Sequence, residues 1–138
     1  MAQVSISDSI PAAPDKVWEV VGDFNGMGRY VANVADSKMK GEGVGAVRSV
    51  TMKDGSVIEE KLEKFDPEGM ELSYSIIQAP LPVKNYMSTM KVQAADGGST
   101  LTWSSTFDAD GTTPEAKAEK LVKITYNFGI KGIKKLFA

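Results

Sequence analysis

The sequence predicts an α+β domain in which a curved antiparallel sheet of about seven strands wraps around a long C-terminal helix, with two short helices after the first strand. Three observations carry this. Five runs between Gly45 and Asp110 alternate apolar and polar residues and are joined by short turns. A strand followed by a helical pattern opens the chain, and a long helical pattern closes it.

From Gln3 to Ile10, Val4, Ile6 and Ile10 alternate with Ser5 and Ser7, the period of a half-buried strand. Pro14 then occupies a place that a first helical turn tolerates, and Val17, Val21 and Phe24 follow at helical spacing. Gly22, Gly26 and Gly28 stop that helix and imply a second short turn before Tyr30. A weaker strand is expected from Val34 to Met39.

The five central strands are read as Ala46–Met52, Ser56–Phe65, Met70–Ile77, Lys84–Ala95 and Thr100–Ala109. The links between them, such as Lys53-Asp54-Gly55 and Asp96-Gly97-Gly98, have turn chemistry, so neighbours run antiparallel as a meander. The final helix is expected from Pro114 to Phe137, capped by Thr112 or Thr113. Its apolar stripe is read as Leu121, Ile124, Phe128 and Leu136, with Val122, Thr125, Gly129 and Ile133 beside it. The lysines from Lys117 to Lys135 are read as a solvated face, with an anionic membrane surface as the minor alternative. Gly129 and Gly132 each cost about 1 kcal/mol relative to Ala inside a helix, which a close approach or a helix break would explain.

At 138 residues the chain is expected to form one domain, residues 1–138, large enough to bury a core unaided. A formal charge of -2 gives no electrostatic case for nucleic acid. No apolar run approaches the roughly 20 residues that span a bilayer, so stable membrane insertion is not expected. MAQVSISDSI lacks the regions of a signal peptide, and the cytoplasm is the expected compartment. The chain has neither histidine nor cysteine. Nucleophile systems built on these residues, and the usual zinc and haem ligands, are therefore excluded, and neither metal nor cofactor is expected. Gly41-Glu42-Gly43-Val44-Gly45 leads into a strand and lacks a Gly-Lys-Ser/Thr ending, so it reads as a hairpin turn rather than a phosphate loop.

Residues two apart share a strand face. Ala46, Arg48, Val50 and Met52 form one face, and Ile58, Glu60 and Leu62 another, so Arg48 and Glu60 each interrupt an apolar row. The short turn between these strands puts both on the same expected concave side. Leu72, Tyr74 and Ile76 share a face, as do Tyr86, Ser88, Met90 and Val92, and then Leu101, Trp103, Ser105 and Phe107. Small hydroxyls among large apolar groups leave volume that a core would normally fill. An apolar pocket with a few convergent polar groups is the usual form of a small-molecule site. Two readings of Arg48 and Glu60 stay open: a polar pair in the pocket, or a structural ion pair. Trp103 and Phe107 suit core packing as well as ligand contact, and Ser88 and Ser105 suit bonds to neighbouring backbone.

Pro14-Asp15-Lys16-Val17-Trp18, Gly45-Ala46-Val47-Arg48, Glu60-Lys61-Leu62, Tyr74-Ser75-Ile76, Asn85-Tyr86 and Leu101-Thr102-Trp103 appear in an order that resembles the START/Bet v 1-like superfamily. Within it the polyketide cyclase/dehydrase-like branch is the nearer resemblance, over nearly the whole chain. This implies a helix-grip fold. The abscisic-acid receptors are similar around Val47-Arg48, Glu60-Lys61-Leu62 and Asn85-Tyr86-Met87-Ser88, where matching Glu, Tyr and Ser positions contribute to ligand recognition. Their gate is missing at Lys53-Asp54-Gly55-Ser56, and Leu81-Pro82-Val83 replaces their latch, so hormone-gated inhibition is not implied. The lachrymatory-factor synthases are similar too, and there Arg and Glu matching Arg48 and Glu60 are implicated in a rearrangement.

The leading expectation is therefore binding of a small, largely apolar or aromatic molecule between the sheet and the last helix. Its expected lining is Arg48, Glu60, Leu62, Tyr74, Ile76, Tyr86, Ser88, Met90, Trp103, Ser105 and Phe107, with Val122, Thr125, Tyr126 and Gly129 from the helix. The alternative is a cofactor-independent cyclase, lyase or isomerase with Glu60 moving a proton, Arg48 stabilising an anion and Tyr86 orienting the substrate. A third reading, a partner-regulating module, has only the helix surface and the Pro80–Pro82 loop to offer. The sequence leaves the oligomeric state open.

Overall fold

Period-two alternation carries through into the structure, a computed structural model that describes residues 1–138. The strands are β1 (Ala2–Ile10), β2 (Val34–Lys40), β3 (Val47–Met52), β4 (Val57–Asp66), β5 (Glu71–Gln78), β6 (Val83–Ala95) and β7 (Gly98–Ala109). They form one antiparallel sheet in the order β1-β7-β6-β5-β4-β3-β2. Helix α1 (Pro14–Val21) and a 3-10 turn (Met27–Arg29) link β1 to β2, and α2 (Glu115–Leu136) crosses the sheet's inner face. This is the expected helix-grip α+β fold. No helix is long and apolar enough to cross a membrane.

Irregular register bends the sheet. Ile77 on β5 and Glu63 on β4 are each extra residues in the β4–β5 ladder. On β6, Asn85 and Tyr86 together oppose the single Phe107 of β7. Such bulges increase local twist and re-aim side chains. Asn85 takes a φ of 53°, which an Asn tolerates better than most residues, and its amide donates to Asp108 Oδ2 at 3.0 Å. Tyr86 is thereby turned inward.

Helix α2 departs from the expected stripe. Ala118, Val122, Tyr126, Gly129, Ile130 and Ile133 are buried, whereas Ile124 is 56% and Phe128 48% exposed. Burial follows the narrow row that passes closest to the sheet, and that row takes in a glycine and a tyrosine beside Ile130 and Ile133 while leaving Ile124 and Phe128 out. The helix begins at Glu115 with Pro114 as its N-cap residue, and no side chain caps it. Thr112 instead bonds Asp110 in the preceding turn.

Both helix glycines mark close approaches, and α2 continues unbroken past them to Leu136. A Cβ on Gly129 would stand 2.6 Å from the Trp103 ring. A Cβ on Gly132 would collide with the Tyr30 carbonyl beyond the 3-10 turn. Gly132→Ala gains helix propensity of about 1 kcal/mol but forces α2 off that turn, and overpacking of this kind costs about 1–3 kcal/mol. The expected result is a net loss of about 1 kcal/mol, read from the urea midpoint; an unchanged or higher midpoint would contradict the close approach.

Candidate functional site

The inner face of the sheet carries aligned cross-strand rows. Arg48 pairs Glu60, which pairs Ile76; in the next row Leu62 pairs Tyr74, Tyr74 pairs Ser88, and Ser88 pairs Ser105. Both charged residues lie on the concave side, with Arg48 only 2% and Glu60 5% exposed.

Burying a charge requires compensation. Arg48 Nε donates to Glu60 Oε1 at 2.9 Å, and Nη2 lies 2.7 Å from the same oxygen. Arg48 Nη1 donates to the Phe24 carbonyl at 2.9 Å, just beyond α1. The guanidinium also lies 4.1 Å from the Phe24 ring centre and 4.9 Å from that of Tyr74. Burial works to lower the Arg48 pKa, and the Glu60 charge and neighbouring groups outweigh it, leaving it raised. The two expected readings of this pair are thus not exclusive. It is a buried ion pair, and one member also faces the cavity.

The cavity, about 730 Å³, lies between the sheet and α2, within the usual range for small-molecule sites. Seven of the expected residues line it: Glu60, Tyr74, Ile76, Tyr86, Trp103, Thr125 and Tyr126. The other eight do not. Arg48 sits behind Glu60, turned to the Phe24 carbonyl. Leu62, Met90, Phe107 and Val122 are consumed by core packing. Ser88 and Ser105 lie beneath the aromatic side chains, and Gly129 only makes room for Trp103. The rest of the lining includes Met27, Val31, Ile58 and Leu81, together with Ile124 and Phe128 of the expected helix stripe. Ile58 was legible, since it shares its strand face with Glu60. The others come from turns and from the exposed flank of α2, where periodicity says nothing about a neighbouring opening.

Polar atoms gather in the wall. Trp103 Nε1 donates to Tyr74 Oη and to Ser88 Oγ, both at 3.0 Å. Ser88 Oγ bonds Tyr126 Oη at 2.9 Å and donates to the Ser104 carbonyl at 3.1 Å, and Tyr86 bonds Tyr126 through their hydroxyls. The Trp103 and Tyr126 rings stack at 4.5 Å. Burial raises the phenol pKa values of all four tyrosines, Tyr30, Tyr74, Tyr86 and Tyr126, with those of Tyr74 and Tyr86 raised furthest. A second hollow of about 760 Å³ runs along the outside of α2 past Asp8, Lys131 and Lys134. It is an open surface groove, and Lys134 there is already paired with Asp8 at 3.1 Å.

The chain is similar to proteins sharing this architecture. The pattern of the family described as polyketide cyclase / dehydrase and lipid transport matches residues 1–138. An MLP-like protein, number 423, of Arabidopsis thaliana is 31% identical over 102 residues. That match covers 70% of this chain but only 63% of the relative. The crystal structure of an uncharacterized Bacillus thuringiensis protein is 32% identical, with a TM-score of 0.91 over 99% of this chain and 98% of that one. Ara h 8.0201, at 22% identity and a TM-score of 0.80 over 99% and 97%, shares the fold.

Two outcomes follow from the electrostatics. Arg48→Met strands a buried carboxylate and is expected to cost about 3–5 kcal/mol in urea unfolding, whereas Arg48→Met/Glu60→Leu loses much less; equal losses would show that the pair is not coupled. The phenols bind protons more tightly folded than unfolded, so their contribution is whole below about pH 10 and is lost as pH rises through the folded values. Urea midpoints should therefore fall steeply above about pH 10, with tyrosinate absorbance appearing only as the protein unfolds. Ordinary tyrosine titration in the native state would refute this.

Proposed function

The chain belongs to the polyketide cyclase / dehydrase and lipid transport family, within the START/Bet v 1-like superfamily, and from that premise we propose that it binds a small, largely apolar molecule between the sheet and α2. The observation that carries the reading is the cavity itself, whose apolar wall of Ile58, Ile76, Leu81 and aromatic rings surrounds the Glu60 carboxylate. Arg48 accounts for one oxygen of that carboxylate, and the cavity gives a use to the other. Glu60 orients the polar end of the bound molecule, and Arg48 is a positioning residue that fixes Glu60.

Catalysis by proton transfer is the second reading, and it is favoured by one observation. Both Arg48 contacts fall on Oε1, which leaves Oε2 of Glu60 without a protein partner. Against it, Arg48 is shielded by Glu60 and lies too deep to stabilise an anion in the cavity. Binding and release therefore account for more of the geometry than a reaction does.

Trp103 lines the cavity, and Trp18 packs away from it against Phe65. With Trp18→Phe, fluorescence from Trp103 should change saturably with an apolar probe such as anilinonaphthalene sulfonate. Ile76→Trp, which fills the cavity from β5, should weaken that binding at least about tenfold while leaving the circular dichroism unchanged. Undiminished binding in the filled variant would remove the cavity as the site.

A further inference from the structure

The hydrogens in the cavity wall can be assigned one by one, because a carbonyl only accepts and an indole N–H only donates. Ser88 has a single hydroxyl hydrogen, and the Ser104 carbonyl takes it. The Ser88 oxygen then accepts from Trp103 Nε1, so Tyr126 must be the donor in the Ser88–Tyr126 bond. With the Tyr126 hydrogen committed, Tyr86 must donate to Tyr126. The chain runs one way, from Tyr86 through Tyr126 and Ser88 to the Ser104 carbonyl. Its open end in the cavity wall is the Tyr86 oxygen, which has given up its hydrogen and receives none.

Glu60 Oε2, also in the wall, can only accept. Tyr74 accepts from Trp103 and keeps its own hydrogen, since both lone pairs of Ser88 are occupied. We infer that the inner wall of the cavity, away from Asn33, Lys53 and Asp54, selects ligands carrying hydrogen-bond donors, namely hydroxylated aromatic or alicyclic molecules, through two acceptors, Tyr86 Oη and Glu60 Oε2, with the Tyr74 hydroxyl as the donor beside them. This rests on the cavity being a binding site. Burial keeps the phenols of Tyr74 and Tyr86 neutral at ordinary pH, so the directionality of the chain is not lost to ionisation. An apolar molecule without a hydroxyl or N–H would leave both acceptors dry and unpaired, which is the penalty that makes such sites discriminate.

The test compares β-naphthol, its methyl ether and methyl naphthyl ketone, three probes of one ring system, by calorimetry and Trp103 fluorescence. β-Naphthol should bind about tenfold or more tightly than its methyl ether. Tyr86→Phe and Glu60→Gln should each shrink that ratio. Ser88→Ala/Ser105→Ala should do more, because with neither serine to take it the Tyr126 hydrogen passes to Tyr86 and frees the Tyr86 hydrogen for the cavity, so the ketone should gain at the naphthol's expense. Equal binding of naphthol and ether, or a ratio unmoved in Ser88→Ala/Ser105→Ala, overturns the inference and leaves the cavity reading standing. If none of the probes, nor anilinonaphthalene sulfonate, binds, both readings fail together.

Discussion

A guanidinium buried in the sheet constrains its surroundings more than any apolar contact does. Arg48 cannot leave water without partners, and the partners come from separate parts of the chain: Glu60 on β4, the Phe24 carbonyl after α1, and the ring of Tyr74 on β5. Meeting these demands fixes where the α1 end sits against the sheet. It also fixes which oxygen of Glu60 is engaged and which is left facing the cavity. An isolated apolar core would tolerate exchange among residues of similar volume. This corner tolerates little, because removing either ion strands the other.

The strand faces were legible in the sequence because their period is two, and each interruption of an apolar row had a definite side. Arg48, Glu60, Ser88 and Ser105 are all inward, as alternation requires. The helix was harder to read. Ile124 and Phe128 are more hydrophobic than Gly129 or Tyr126, so they dominate a hydropathy stripe, yet they border the opening rather than the core. A cavity inverts the usual rule there, since apolar residues at its mouth stay partly in water. The separation of lining residues from those behind them was not legible either, because it depends on side-chain depth within one face. Neither was the bulge that turns Tyr86 inward, although Asn85 is a residue suited to it.

Two families of interaction divide the work in the cavity. Apolar surface supplies attraction without direction, and it comes from β4, β5, α2 and the turns at the mouth. Direction comes from a few polar atoms held by groups that do not themselves reach the cavity: Arg48 behind Glu60, and Ser88 and the Ser104 carbonyl behind Tyr126. Such backing costs buried polarity, which is acceptable only where each atom finds a partner. Ser105 Oγ is buried without one, and Arg48 Nη2 meets Glu60 only as an ion pair, with no hydrogen bond of its own. The arrangement also explains the glycine at 129, since the Trp103 ring could not lie flat on Tyr126 and keep its N–H on Ser88 if a methyl group stood there.

The pairing of β1 with β7 has a kinetic consequence. Ser7 and Thr102 bond across a gap of 95 residues, while the intervening strands pair with close neighbours in sequence. Loop closure over such a span is slow and is rewarded only late. The β2-to-β7 meander can therefore assemble before β1 is recruited, and until then the edge of β7 is an unpaired template. Trp103, which lines the cavity, lies on that waiting strand. The last step of folding is thus also the step that gives α2 its seat on β1, and α2 supplies Thr125 and Tyr126 to the cavity.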